Sequence, residues 1–297
     1  MKQAQQALEV SERRACRVVE QPRSSQRYVG QRADKDRGLI KRMQDLAHSH
    51  PRYGYRRVGN LLRREGWKVN QKRVYRLWRQ EGLKVPVRQR KKRRMGSSAN
   101  SCVRRRAERR NQVWSYDFVM DQTEDGRRLK WLPIVDEYTR ECLRLEVERG
   151  MEAQDVVGIL AGLMLERGRP EFIRSDNGPE FIAKAVREYL KAQGSETAYI
   201  APGAPWENAY SETFNSRLGD ELLKREVFMS LKEAKVLAQE YRTEYNTRRP
   251  HSALDYRTPV EFATACEAAA LRVIGDSSLH RFTCSFKEVP TLISPGT

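Results

Sequence analysis

In the stretch NQVWSYDFVM, residues 111–120, Trp114, Tyr116, Phe118 and Met120 alternate with Val113, Ser115, Asp117 and Val119. A repeat of two belongs to a strand, whose successive side chains point to opposite faces. Two further strands are expected at 129–136 (LKWLPIVD) and 141–148 (ECLRLEVE), with Gly126 at the tip of the first connection. The periodicity then changes. Val156, Val157, Ile159, Leu160, Leu163 and Met164 nearly encircle a helix at 152–166, which predicts deep burial. A strand Glu171–Ser175, a helix at 183–192, a strand Thr197–Ile200 and helices at 206–224 and 231–246 complete the order β-β-β-α-β-α-β-α-α. Such an order predicts an α/β fold, a mixed sheet with helices on both faces.

The first 110 residues have another character. They hold 33 Lys/Arg and 9 Asp/Glu, against 24 and 30 in residues 111–297, so a polycationic arm precedes a mildly acidic body. That asymmetry points to nucleic acid as the partner of the arm. Helices are expected at about 6–19 and from Asp34 to Ala47, where Leu39, Met43 and Leu46 share a face. In residues 50–85, Val58, Leu61 and Leu62 mark one amphipathic helix, stopped at Gly66. Asn70 caps a second, with Val74, Leu77 and Trp78 as its apolar stripe and Gly82 at its end. Two short helices joined by a tight link follow helix-turn-helix logic. Lys72, Arg73, Arg76 and Arg79 lie off the apolar stripe, as on a helix that enters a DNA groove. A basic linker follows, with Arg88, Arg90, Lys91, Lys92, Arg93 and Arg94 in one run and Arg104, Arg105 and Arg106 in another, suited to phosphate contact. The organisation expected is an N-terminal helical segment (1–48), a helix-turn-helix domain (49–86), the linker (87–110), the α/β core (111–265) and a tail (266–297).

Several classes are disfavoured. The longest apolar run, Val156 to Leu165, is half of the about twenty residues that a membrane span needs, and no apolar signal core opens the chain. The expectation is a protein with no membrane partner that stays in the cytoplasm, on the nucleoid when bound to DNA. The five cysteines form no CxxC pair and the phosphate loop GxxxxGK[ST] is absent, so neither a zinc knuckle nor ATP use is indicated.

Three acids stand out. Asp117 sits in a strand among aromatics, where an ionised carboxylate is costly unless paired or metal-bound. Asp176 ends another strand, ahead of Asn177-Gly178. Glu212 lies in WENAYSETFNSRL, where Asn208, Glu212 and Asn215 make a polar face and Tyr210, Phe214 and Leu218 a packing face. If both strands are central and this helix crosses their ends, the three carboxylates converge. Acids without cysteine or histidine suit Mg²⁺ or Mn²⁺. Two such ions activate the attacking oxygen and neutralise the leaving one in phosphoryl transfer. Asp117, on the most rigid element, is expected to bridge both. Asp136 and Glu207 are rivals, read respectively as a turn cap and as a first-turn acid that complements the helix dipole.

With these residues the body resembles the ribonuclease-H-like core of DDE transposases and retroviral integrases. Asp117, Asp176 and Glu212 match the three acids of that family, with 35 residues between the last two. SDNGPEF, PWENAYSETFNSRLGDELL and YNTRRPHSALDYRTPVEF resemble its later motifs, and residues 50–85 the helix-turn-helix of bacterial insertion-sequence transposases of the IS-three type, second-frame product. The resemblance, over about residues 10 to 265, implies metal-dependent cleavage and strand transfer on double-stranded DNA, at the element's terminal repeats and at a target. It further implies a homo-oligomer on DNA and fusion to a first-frame helix-turn-helix protein. Trp206, Asn208, Tyr210, Arg249 and His251 are candidates for DNA contact, the aromatics by stacking on a base and Arg249 and His251 by reaching phosphate. A non-catalytic DNA-binding regulator with a degenerate core and a nuclease of the same fold are the alternatives. The presence of all three acids argues against the first.

Overall fold

The computed structural model describes residues 10–27, 32–83, 85, 107–175, 184–199 and 209–269. Two compact units divide the chain, Met1–Val87 and Arg88–Thr297.

The first unit is helical. Its elements are α1 (Glu12–Val18), α2 (Arg23–Arg27), α3 (Arg32–Ser49), α4 (Tyr55–Arg64) and α5 (Gln71–Gln80). Leu39, Met43 and Leu46 of α3 pack against Val58 and Leu62 of α4 and Val74, Leu77 and Trp78 of α5, which is the face that the helical spacing marks. Asn70 caps α5, its side chain accepting the Lys72 N–H at 2.8 Å. Gly66 and Gly82 take φ of +89° and +68°, the left-handed backbone that lets each helix stop within a residue or two. Where α4 meets the start of α5, a Cβ on Gly59 would lie 2.8 Å from Gln71 Oε1. The short α2, after Pro22, is not visible in the apolar spacing.

The second unit is built on one sheet: β1 (Val113–Tyr116), β2 (Val119–Gln122), β3 (Arg128–Asp136), β4 (Cys142–Glu148), β5 (Phe172–Ser175) and β6 (Glu196–Tyr199). β3 pairs antiparallel with β4 along one edge and with β2 and β1, end to end, along the other. β5 then lies parallel to β1, and β6 parallel to β5. Helices α6 (Ala153–Arg167) and α7 (Lys184–Ala192) cover one face, burying Trp114, Tyr116, Leu132, Ile134 and Ile173. On the other face α8 (Ala209–Leu218), continued by a π-helical turn at Gly219–Leu223, and α9 (Leu231–Thr247) enclose Leu129, Trp131, Val135, Leu145 and Val147. The mixed sheet with helices on both faces is as expected.

Three details differ from the sequence expectation. The first strand is two strands with a break at Asp117 and Phe118. α6 is not deeply buried all round: Val156, Leu160 and Leu163 are enclosed, but Leu165 is 90% exposed, because a single layer of helix needs only one apolar stripe. Residues 259–269 form a further helix, running past residue 265. It opens with a capping box, in which Glu261 Oε2 accepts the Thr258 N–H at 2.8 Å and Thr258 Oγ1 accepts the Glu261 N–H at 3.2 Å.

Candidate active site

The break in the first strand follows from a proline across the sheet. β1 and β2 keep one register against β3: Tyr116 pairs with Ile134 and Val119 with Trp131, so Asp117 stands opposite Pro133. The Glu137 N–H donates to the Val113 carbonyl at 3.0 Å, which makes every second pair from there a hydrogen-bonded one. The pair of Asp117 and Pro133 falls in that series, and proline has no N–H to give. The ladder therefore lapses at the acid while the strand direction continues.

Alternation decides where Asp117 faces. Trp114 and Tyr116 turn into the core under α6 and α7, so Ser115 and Asp117 turn to the face covered by α8. There, Asn215 of α8 donates its Nδ2 to Asp117 Oδ2 at 3.0 Å. Glu212 lies three residues earlier on the same flank of α8, with its side chain in solvent. The buried Oγ of Ser115, Oγ of Ser211 and Oδ1 of Asn215 have no hydrogen-bond partner among the described residues. A half-buried carboxylate beside unsatisfied hard oxygens, with no thiol or imidazole in this group, fits a hydrated divalent cation. Among the described residues no three acidic, histidine or cysteine side chains gather. Asp176, Trp206, Glu207 and Asn208 lie outside those residues, as do the basic positions Arg88, Arg90, Lys91, Lys92, Arg93, Arg94, Arg104, Arg105 and Arg106.

The surroundings sort the rival residues. Asp136 is fully buried at the end of β3 and caps the next turn: Oδ1 accepts the N–H groups of Tyr138 at 2.9 Å and Thr139 at 2.8 Å, and Oδ2 that of Asn111 at 2.7 Å. Burial pushes its carboxyl above the ordinary range, and these N–H groups oppose the rise. Next to it, the buried Glu137 receives Arg174 of β5, whose Nη1 lies 2.7 and 2.8 Å from the two carboxylate oxygens. Asp121 lies in β2. Its Oδ2 is buried, and burial pushes its carboxyl up.

Three candidates for DNA contact are engaged within the protein. Arg249 is buried, its Nε and Nη2 holding both oxygens of Glu221 at 2.7 and 2.6 Å, and its guanidinium lies 5.3 Å from the Tyr245 ring centroid. His251 is buried edge-on against Tyr245. Neither reaches the surface as phosphate contact requires, because the segment after α9 folds back onto that helix. The ring of Tyr210 carries the Arg140 guanidinium 3.7 Å from its centroid, on a face that base stacking would use. Arg140 reaches it from the turn after β3, with φ of +64°.

In the helical unit, Lys72, Arg76 and Arg79 are exposed on α5 and Arg79 leans on the exposed Tyr75, its guanidinium 5.9 Å from the ring centroid. Arg73 and Arg76 both bind Asp36 of α3.

A split first strand carrying an acid, two parallel neighbours and a helix bringing a second acid to the same face define a ribonuclease-H-like catalytic core. Family models described as an integrase core domain match residues 107–205 and 193–259, and a model described as an HTH-like domain matches 33–92. The chain is 38% identical over 270 residues to the insertion element IS407 uncharacterized 31.7 kDa protein of Burkholderia multivorans, covering 91% of this chain and 96% of that one. It is 30% identical over 245 residues to transposase InsD for insertion element IS2A/D/F/H/I/K of Escherichia coli, covering 76% and 78% of the two chains. Among solved structures, the HTLV-2 integrase catalytic core domain in complex with magnesium is a distant likeness, 14% identical with a TM-score of 0.39 over 53% of this chain and 99% of that one. The chain belongs to the insertion-sequence transposases of the IS-three type, with an HTH-like region ahead of an integrase core.

Proposed function

We propose that this protein cuts the ends of its insertion sequence and joins them to target DNA, with Asp117, Asp176 and Glu212 as the carboxylates that hold the catalytic cations. The observation that carries this reading is Asp117 at the lapse in the ladder, bonded to Asn215 on the flank of α8 that also bears Glu212. The parallel register adds support. Ser115 pairs with Arg174, and two residues further along each chain are Asp117 and Asp176.

Two divalent ions, Mg²⁺ or Mn²⁺, would activate the attacking oxygen and neutralise the leaving one. Asp117, held by Asn215 at the break between β1 and β2, would serve both ions, and Asp176 and Glu212 would each hold one. In the first step water attacks a phosphodiester at the element end, forming one P–O bond as the bond to the 3′ oxygen breaks. In the second the freed 3′-OH attacks a phosphodiester of the target, forming a new P–O bond as the target's bond to its own 3′ oxygen breaks, that oxygen leaving as a 3′-OH. Each step is a direct displacement and needs no covalent protein–DNA bond. Lys72, Arg73, Arg76 and Arg79 bind the terminal repeat, and the linker runs 88–94 and 104–106 grip phosphate ahead of the core. The active form is a homo-oligomer on DNA in the bacterial cytoplasm, with a first-frame protein as fusion partner.

The test uses purified full-length chain, with and without the first-frame protein, on labelled duplexes of the element ends with Mg²⁺. Asp117→Asn, Asp176→Asn and Glu212→Gln should each abolish cleavage and strand transfer while DNA binding persists, and Glu207→Gln should have a mild effect. An active Glu212→Gln beside a dead Glu207→Gln would overturn the assignment on α8. Wild-type protein that binds ends but cuts none under either condition would favour the regulator.

A further inference from the structure

Asp36 lies in α3 with its side chain only 7% exposed, and two arginines of α5 converge on it. Arg73 bonds Oδ1 through Nε, at 2.8 Å, and through Nη2; Arg76 bonds Oδ2 through Nη2 at 2.9 Å. A simple tie between α3 and α5 needs one arginine. A second guanidinium three residues along the same helix adds like-charge repulsion that the shared carboxylate must offset. Both arginine side chains stay substantially exposed, at 40% and 50%. No carboxylate of the described residues pairs with Lys72 or Arg79 on the same helix.

Arginine has five N–H groups in a rigid fork. Asp36 occupies the Nε–Nη2 edge of Arg73 and one N–H of Arg76, and the Arg73 Nη2 also reaches the Lys35 carbonyl at a long 3.5 Å; the Nη1–Nη2 end of each guanidinium is the pair of donors left for an external acceptor. Two such donors match O6 and N7 of guanine in the major groove. Residues three apart on a helix are displaced by about 4.5 Å, close to the roughly 3.4 Å between successive bases on a strand. An arginine whose rotamer is already held loses less freedom on contact, and one that is free can slide to a phosphate instead.

We infer that Asp36 is a specificity-determining positioning residue, holding Arg73 and Arg76 as a fixed pair that reads two neighbouring guanine edges in the terminal repeat. The inference rests on α5 being the DNA-reading helix. Lys72 and Arg79, without such a buttress, grip the backbone.

The experiment is competition binding by the full chain at one fixed salt concentration. The probes are a duplex of the element's own end, a scrambled duplex of equal composition, and the end duplex with 7-deazaguanine in place of guanine, which lacks N7. For the wild type the end duplex should win over both others. Asp36→Asn should lower that preference about tenfold over each, while affinity for scrambled DNA holds or rises because a negative charge is gone. In the Arg76→Ala background Asp36→Asn should change the preference much less, since Asp36 acts through the arginines. Because the linker runs alone would keep affinity for scrambled DNA, an unchanged helical circular dichroism signal and an unchanged melting transition of the helical unit are required to show that the arm is folded in the variants. An unchanged preference in Asp36→Asn would make Asp36 only a tie between α3 and α5, and higher affinity for all three probes by one factor would make it a competitor for the arginines. If Arg73→Ala and Arg76→Ala leave the wild-type preference intact, α5 is not the reader and the inference falls with that reading.

Discussion

The pair of Arg174 and Glu137 is the most heavily buried ion pair among the described residues, with side chains 6% and 0% exposed and oxygens at 2.7 and 2.8 Å from one nitrogen. It ties β5 to the turn after β3, two residues before Asp176. Replacing Arg174 by leucine takes from the buried Glu137 carboxylate the guanidinium that meets both of its oxygens. Breaking a buried pair from one side costs about 3–5 kcal/mol. For a unit of this size each kcal/mol lowers the melting temperature by about 2–4 °C, so Arg174→Leu should lower the transition of the core by roughly 6–20 °C. The paired replacement Arg174→Leu with Glu137→Leu removes both charges together, and replacing a buried pair by apolar side chains is often neutral. The double variant should therefore melt above Arg174→Leu. Scanning calorimetry of the full chain measures this, since two compact units allow the core transition to be resolved from that of the arm. A fall of less than about 3 °C in Arg174→Leu, or a double variant that melts at the sum of the two single losses, would refute the reasoning; the first would mean that water or rearrangement compensates the buried carboxylate.

Asn215→Ala removes a hydrogen bond to a charged group, worth about 1.5–3 kcal/mol. The Mg²⁺ concentration for half-maximal cleavage should rise tenfold or more, and an unshifted Mg²⁺ titration would show that Asn215 does not hold Asp117. Asp121 has its carboxyl pushed up by burial, so its ionised form costs stability once the pH exceeds the ordinary carboxylate value, and that cost is absent below it. Asp121→Asn should accordingly raise the melting temperature at pH 7 and do so progressively less as the pH falls towards about 3; a gain independent of pH would assign the effect to something other than charge.

What could be read from the chain divides by how far apart the cooperating residues are. The alternation around Asp117 is local, and so are the stripes of α3, α4 and α5 and the Asn70 cap, because each depends on neighbours within a few residues. The capping box of Thr258 and Glu261 was equally legible, in a short TPVE run, yet the apolar spacing of 259–269 does not draw attention to it. The break at Asp117 was not legible. It arises from Pro133, sixteen places further on, and only the register of β3 tells which residue a missing N–H will strand. Arg249 and His251 look like phosphate ligands in an exposed loop until Glu221 and Tyr245 supply the partners that bury them. Arg73 and Arg76 are legible as basic residues off the apolar stripe, but the carboxylate that orients them is on another helix. In each of these the residue type is visible in the chain, and its availability is set by a partner brought up by tertiary packing. Glu212 marks the other extreme. An acid on the solvent flank of an amphipathic helix, one turn before Asn215, keeps the exposure that its own helix assigns to it, and no distant group is needed to predict where it faces. Sites that work on an external ligand must leave their charged groups uncompensated by the fold, and for that reason exposed acids of this kind are easier to find in a sequence than the contacts that support a site.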